Sequence, residues 1–206
     1  ENLTCMRRRG YLGAVGGAGA LALGGVSLNG FSLNSTKTLQ NPQVTHSSGN
    51  TYLNYSAHGT QLTGVALRFD TRLPDGTVNG EQAVRVPLLL QLSHQQQTRL
   101  TSLKLKMRAP PAGNPPGVFY VNSEGPSHSS MRFYTGRDQY TILEMDNLGS
   151  VGAGTVSFKL MLRQVPKSTT EMYFDAEYHL KRKNFLGNSY TIQGSTTAPL
   201  PSTKTN

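Results

Sequence analysis

Three basic residues alternate with apolar ones in one short segment of the chain. Lys104, Lys106 and Arg108 are separated by Leu105 and Met107, and side chains two positions apart on a β-strand project from the same face. We therefore predict a basic row on one face of a sheet. Such a row favours an ordinary charged outer face, whose basic residues keep the sheet from pairing with other chains. The alternative is a site at which Lys104, Lys106 and Arg108 bind an anionic ligand such as an acidic envelope polymer.

Motifs for catalysis, metal binding or cofactor binding are absent from the sequence. The five histidines form no His-x-His or His-x-x-x-His pair, and no serine lies in a Gly-x-Ser-x-Gly elbow. His179 shares a predicted outer face with Asp175 and Glu177, but zinc needs three or four converging ligands. Asp70 and Asp75 flank a predicted turn, but calcium needs six to eight oxygens. We predict a protein that is not an enzyme and that holds no cofactor and no metal.

Alternation of apolar and polar residues dominates the sequence beyond the N-terminal segment. The clearest case is Glu171–Lys181, in which every second residue is apolar, as in an antiparallel strand with one wet face. Nine to ten such segments predict an all-β fold, an antiparallel β-sandwich of the immunoglobulin-like or jelly-roll type. The residues expected inside it are Phe69, Leu88, Leu90, Phe158, Leu160, Phe174 and Tyr178.

Turn signals separate the predicted strands. Leu73–Thr77 contains Pro-Asp-Gly and predicts a turn between two strands. Ser93–Arg99 is the best candidate for a short helix, with a loop as the alternative. We expect one sandwich domain over residues 26–197 and a flexible tail over residues 198–206.

The segment before the predicted domain begins with basic residues, continues with apolar residues and ends with small ones. Arg8, Arg9, Tyr11 and Leu12 match the pattern of a twin-arginine export signal. The weakly apolar stretch that follows is shorter than the roughly 20 residues that span a bilayer. The alternative is a short basic arm that contacts nucleic acid.

Processing of this segment follows from its small residues. Ala20 and Ala22 stand where a signal peptidase expects small side chains, so cleavage after Ala22 is expected, with Gly24 or Gly25 as further candidates. Residues 1–25 are therefore predicted to be an N-terminal extension and signal peptide, with translation expected to begin at Met6. Asn34 and Asn54 lie in Asn-x-Ser/Thr triplets and are candidate glycosylation sites.

The start and the end of the chain resemble one group of exported proteins. Met6-Arg7-Arg8-Arg9-Gly10-Tyr11-Leu12 is followed by a Gly/Ala-rich stretch, and Glu171–Lys181 is followed by Asn184–Gly187 and Tyr190–Ser195. In these segments the chain resembles the twin-arginine-exported, uncharacterised surface proteins of halophilic archaea that carry immunoglobulin-like domains. The resemblance implies export and a surface location, but no catalytic residues. One departure is the net charge of +9, because such proteins are usually strongly acidic.

These observations predict an exported extracellular or cell-surface β-sandwich with a structural, adhesion or binding role. Its expected partners are the twin-arginine export machinery and an acidic envelope polymer, with membrane contact through the signal segment alone and no nucleic acid. The alternative is a jelly-roll viral capsid protein with a short basic N-terminal arm. A single cysteine, Cys5, excludes a disulfide framework in the predicted domain.

Overall fold

The computed structural model of the chain describes residues 36–47, 49–57, 60–95, 97–110, 116–120, 131–146, 148, 154–182 and 189–202. These residues contain no helix, so none there is long and apolar enough to cross a membrane. They form thirteen strands: β1 (Thr36–Leu39), β2 (Gln43–Ser47), β3 (Asn50–Ala57), β4 (Thr60–Phe69), β5 (Leu73–Val78), β6 (Glu81–His94), β7 (Thr98–Arg108), β8 (Gly117–Tyr120), β9 (Met131–Thr135), β10 (Thr141–Met145), β11 (Thr155–Pro166), β12 (Glu171–Arg182) and β13 (Ser189–Pro199).

The strands form two sheets around one core. The six-stranded sheet has the order β1-β13-β12-β7-β10-β9, and the seven-stranded sheet has the order β2-β3-β4-β6-β11-β8, with β5 pairing with β6. Buried apolar residues of both sheets belong to one cluster. The predicted all-β sandwich is therefore confirmed. All described pairings are antiparallel except that of β1 with β13, which is parallel.

Period-two sequence patterns produce the core as expected. In β12, alternate residues from Met172 to Leu180 are buried, while those between them are only partly covered. Six of the seven residues predicted inside are buried: Leu88, Leu90, Phe158, Leu160, Phe174 and Tyr178. Phe69 is only partly buried, because it is the last residue of β4 and packs from the margin, its ring centroid 6.0 Å from that of Phe174.

The prediction of a turn at Leu73–Thr77 is wrong, because this segment lies within β5. Its Pro-Asp-Gly residues form a bulge in the pairing with β6, where Gly76 has a φ of 81°. The reversal into β6 is made by Asn79 and Gly80, whose φ angles are 49° and 80°. Two positive φ angles are what a tight hairpin of type I′ requires, and Asn-Gly is the pair that adopts them most readily.

Asp75 in this bulge connects β5 to β11. Its carboxylate accepts hydrogen bonds from Arg163 Nε at 2.6 Å and from the backbone N of Gln164 at 2.9 Å. Gln164 has a φ of 57° and lies where the register of β11 against β6 shifts. The hydrogen bond from Arg163 is the main cause that lowers the pKa of Asp75. Asp75 therefore has a structural role, because it joins β5 to β11.

The short helix considered at Ser93–Arg99 is also absent from the described part of that segment, residues 93–95 and 97–99. β6 continues to His94 and β7 begins at Thr98. The Thr98 backbone N donates to Gln95 O at 2.8 Å, and His94 Nδ1 lies 2.9 Å from Thr98 Oγ1. These local hydrogen bonds join the end of β6 in one sheet to the start of β7 in the other.

The C-terminal end of the packed structure lies beyond residue 197. The sequence predicts a flexible tail from residue 198, whereas β13 continues to Pro199, and Ala198 and Leu200 are buried. The backbone N of Leu200 donates to Thr170 O at 2.8 Å. Residues 198–200 therefore belong to the sandwich because both apolar side chains reach its core.

Candidate binding face on the six-stranded sheet

Pairing register aligns polar side chains in rows on the side of the six-stranded sheet turned away from the core, here called the outer face. Lys104, Lys106 and Arg108 of β7 all lie on it, because Leu103, Leu105 and Met107 between them are buried. Opposite them on β12 stand Glu177, Asp175 and Tyr173, in that order. The structure therefore brings the three predicted residues together, but it surrounds them with acidic and aromatic neighbours.

The two lysines have acidic partners. Lys104 Nζ lies 3.6 Å from Glu144 Oε1, and Lys106 Nζ lies 3.3 Å from Asp175 Oδ2. Both lysine side chains are more than a third exposed, so each pair contributes at most about 1 kcal/mol to stability. The row is therefore partly neutralised, and binding of an anion by it stays a prediction.

Arg108 differs from the lysines, because its neighbours are two tyrosines. Its guanidinium carbon lies 4.6 Å from the ring centroid of Tyr140 and 5.3 Å from that of Tyr173, within the range of cation–π attraction. Within the described part of the chain, no carboxylate forms an ion pair with Arg108, and its buried Nε has no hydrogen-bond partner. Arg108 is thus positioned by aromatic rings, and no described carboxylate neutralises its charge.

Two concavities lie on the outer face, and the two tyrosines that flank Arg108 line one of them. One, of about 560 Å³, is lined by residues that include Tyr140, Tyr173, Asp175, Ser195 and Thr197. The other, of about 550 Å³, shares Asp175 and Ser195 with the first and extends past Glu177 and Gln193 to the segment Gln40–Pro42. Because they share these two lining residues, the concavities adjoin each other across β12 and β13, and we call them together the β12–β13 groove.

The far end of the β12–β13 groove is formed by the segment that connects β1 to β2. Gln40 Nε2 donates to Gln193 Oε1 at 2.8 Å, and Gln193 Nε2 donates to Glu177 Oε2 at 2.9 Å. Asn41 has a φ of 58°, which turns the chain from one sheet toward the other. The hydrogen-bond chain ends on a carboxylate, so this end of the groove is rich in acceptors.

A buried pair of tyrosines lies beneath the same segment. The rings of Tyr55 and Tyr178 meet edge to face with centroids 6.2 Å apart, and the Tyr178 hydroxyl lies 2.9 Å from Thr63 Oγ1. Burial is the main cause that raises the pKa of both tyrosines. The Tyr55 hydroxyl is buried against Gly194 and has no hydrogen-bond partner in the described residues. Both tyrosines are therefore neutral core residues.

The remaining candidates do not assemble into a second site in the described ranges. His179 Nε2 lies 3.5 Å from Glu177 Oε1, and its Nδ1 lies 3.0 Å from Thr191 Oγ1. No group of three or more potential metal ligands is present in those ranges. Asn54 lies in β3, where its Oδ1 accepts from Gln61 Nε2 at 3.0 Å. The other predicted site residues lie outside the described residues: Arg8, Arg9, Tyr11, Leu12, Ala20, Ala22 and Asn34.

Comparison with known proteins places the sandwich in a family. The family described as "Domain of unknown function (DUF8121)" matches residues 36–202. The chain belongs to this family. The match spans all thirteen described strands, so the DUF8121 domain includes both sheets and the β12–β13 groove. No curated protein matches the chain.

Several solved structures are distantly similar to the DUF8121 domain. A collagen-binding domain from a Staphylococcus aureus adhesin is 9% identical, with 61% of this chain and 96% of that chain covered and a TM-score of 0.31. The human F-spondin reeler domain is 10% identical, with 65% and 89% covered and a TM-score of 0.31. The seventh ScaB type I cohesin from Pseudobacteroides cellulosolvens is 10% identical, with 66% and 97% covered and a TM-score of 0.33. These likenesses are too distant to carry an argument about function.

Chemically, the outer face of this DUF8121 domain offers different groups at its two ends. Arg108 supplies hydrogen-bond donors and a positive charge beside two aromatic rings, while Asp175, Glu177 and Gln193 supply acceptors. Sequence reasoning found Arg108 but missed Tyr140 and Tyr173. The alternation of apolar and polar residues in β12 is enough to place Tyr173 on the outer face. The contact of either tyrosine ring with Arg108 depends on the register in which β10 and β12 pair with β7, and these strands are far apart in the sequence.

Proposed function

We propose that this protein is exported by the twin-arginine route and acts outside the cell or on its surface as a non-enzymatic β-sandwich that binds an acidic envelope polymer. The proposal places the binding site on the outer face of the six-stranded sheet, with Arg108 as its main anionic contact. The single observation that carries it is the position of Arg108, which is held between Tyr140 and Tyr173, two residues that line the β12–β13 groove. The export motif Arg8-Arg9-Gly10-Tyr11-Leu12 supports the location.

Arg108 is better suited to an anion than its neighbours on β7. A guanidinium presents a planar fork of donors that matches a carboxylate, and the flanking rings restrict its movement before a ligand arrives. Lys104 and Lys106 would have to leave Glu144 and Asp175 to bind an anion, so part of their gain would be lost. The predicted basic row is therefore reduced to one principal contact and two supporting charges.

Contacts of the groove carboxylates favour binding over catalysis. Asp175 faces Lys106, while Glu177 accepts from Gln193 and lies near His179. Both carboxylates are nearly half exposed, whereas a catalytic acid usually needs a buried site that raises its pKa. A role in binding requires only that these carboxylates keep fixed positions and accept hydrogen bonds.

Replacement of Arg108 tests the proposal. Hyaluronate, whose carboxylates alternate with uncharged sugars, serves as the acidic probe and dextran as the neutral one, with affinities measured calorimetrically on the full chain. A hydrogen bond to a charged group contributes about 1.5–3 kcal/mol, so Arg108→Gln should weaken hyaluronate binding by about 10- to 150-fold. Affinity for hyaluronate should also fall as salt is added.

The matched control is Arg85→Gln, because Arg85 is an exposed arginine of β6 in the other sheet. This variant has the same change in net charge and should bind hyaluronate as the unaltered protein does. Equal losses in the two variants, or binding of dextran as tight as that of hyaluronate, would reject the outer face as the site. Tight binding of duplex DNA together with assembly into closed shells would instead support the capsid alternative.

A further inference from the structure

Resting on the proposed function, we infer that the ligand of Arg108 is an extended and sparsely charged acidic oligosaccharide lying in the β12–β13 groove. A carboxylate-bearing sugar would contact Arg108, and uncharged, hydroxyl-bearing sugars would lie over Asp175, Ser195 and Glu177. The spacing of charge along the polymer is then the property that this site recognises.

The shape of the groove calls for a linear ligand. Its two concavities have volumes of about 560 Å³ and 550 Å³ and meet at Asp175 and Ser195. Along β12 the groove runs from Tyr173 to Glu177, a distance of about 13 Å at the usual rise of 3.3 Å per residue. A single small anion would leave most of this length empty.

The groove also changes from donor to acceptor along its length. At one end Tyr140 and Tyr173 line the groove and offer surfaces for the apolar face of a sugar, and Arg108 beside them can only donate hydrogen bonds. At the other end, Gln40 donates to Gln193 and Gln193 donates to Glu177, so the carboxylate retains lone pairs for a ligand. Hydroxyl groups, which both donate and accept, fit such a floor.

Glu177 disfavours a densely charged polymer, because Asp175 is paired with Lys106 whereas Glu177 forms no ion pair with a lysine or arginine among the described residues. Asp175 and Glu177 lie two and four residues along β12 from Tyr173, which faces Arg108. A chain with an anion on every unit, such as a nucleic acid or a polyuronate, would bring negative charge against Glu177. A chain that alternates one acidic sugar with uncharged sugars would place its carboxylate at Arg108 and avoid the repulsion. Charge spacing is therefore the property that the groove selects.

A comparison of two acidic polysaccharides tests this selection. Hyaluronate carries its carboxylates on alternate sugars, whereas polygalacturonate carries one on every sugar. The full chain should bind hyaluronate oligosaccharides more tightly than polygalacturonate oligosaccharides of equal length. Glu177→Gln keeps the side-chain size and removes the negative charge, so it should raise the affinity for polygalacturonate relative to hyaluronate by about three- to tenfold.

Glu81→Gln is the matched control, because Glu81 is an exposed carboxylate at the start of β6 in the other sheet. It should leave the ratio of the two affinities unchanged. Ser195→Trp fills the floor shared by the two concavities and should weaken both ligands, while an unchanged unfolding midpoint shows that the variant still folds.

The outcomes separate the inference from the proposal on which it rests. If Arg108→Gln abolishes binding but polygalacturonate binds as well as hyaluronate and Glu177→Gln leaves the ratio unaltered, the groove inference is overturned and the proposed function stands. If Arg108→Gln has no effect on either ligand, both are overturned. Normal binding by the folded Ser195→Trp variant would overturn the groove alone.

Discussion

Replacement of Gly194 by alanine is expected to destabilise the domain through one specific contact. A Cβ built at Gly194 would collide with the Tyr55 hydroxyl and would lie 2.9 Å from both Cγ and Cδ of Pro42. The backbone there is not in the left-handed region, so alanine adds no backbone strain. Overpacking of this kind costs about 1–3 kcal/mol, which should lower the melting temperature by roughly 2–10 °C in a domain of this size.

The Tyr55 hydroxyl determines how this loss can be reversed. It is buried and has no hydrogen-bond partner within the described residues, so Tyr55→Phe removes an unsatisfied polar group and should be neutral or stabilising by up to about 1 kcal/mol. In the double variant the phenylalanine leaves room for the new methyl group. We expect it to recover about half of the loss or more, and the contact with Pro42 to account for the remainder.

Urea unfolding of the four proteins of this double-mutant cycle measures the coupling free energy, which should be about 1 kcal/mol or more in the favourable direction. The slope of each transition checks that the unfolded states are comparable. A double variant that is no more stable than Gly194→Ala alone would refute the collision with Tyr55. A loss above 1 kcal/mol for Tyr55→Phe would mean that the hydroxyl has a partner that stabilises it.

Three further results are expected. Asp75→Asn should cost about 2 kcal/mol at neutral pH, because the hydrogen bonds between Asp75 and Arg163 are weakened. The folded state lowers the pKa of Asp75, so this stability is present above the unfolded pKa of about 4 and is lost as the pH falls through the folded pKa. The unfolding curves of the two proteins should therefore converge in acid, and a pH-independent difference would argue against the ion pair. Phe174→Ala should cost roughly 3–5 kcal/mol in urea unfolding, because Phe174 is only 3% exposed; a loss below 1 kcal/mol would contradict its place in the core. Changing Arg8 and Arg9 together to lysine should hold the precursor in the cytoplasm on cell fractionation, whereas normal export and processing would exclude the twin-arginine route.

The sequence was sufficient for the fold class because burial in a sandwich follows a period of two. The alternation in β12 predicts Met172, Phe174 and Tyr178 as core residues, and all three are buried. The strand Thr36–Leu39 could not be predicted from burial, because β1 is short, polar and mostly exposed. Such an edge strand is held by hydrogen bonds to β13 rather than by apolar burial, so its sequence carries little signal.

Turns and the candidate site required information that neighbouring residues do not carry. The Asn79-Gly80 pair is a local signal for the hairpin turn and is visible in the sequence. The Pro-Asp-Gly segment just before it is also typical of a turn, so the sequence alone does not show which of the two makes the reversal. The tyrosines beside Arg108 come from β12 and from the residue preceding β10. Their meeting depends on which strands pair and in what register, and hydrophobic patterning fixes the face of a residue but not its cross-strand neighbour.

The parallel pairing of β1 with β13 has a mechanical consequence. The two strands run in the same direction, with Thr36 opposite Ser189 and Leu39 opposite Ile192. Tension between the N-terminal end of β1 and the C-terminal end of β13 would pull the strands in opposite directions along their axes. Their hydrogen bonds would then carry the load together instead of parting one after another, as they do when a hairpin is peeled from its open end. The sandwich should therefore unfold slowly when it is stretched along its chain, since forced unfolding is governed by the rate of barrier crossing.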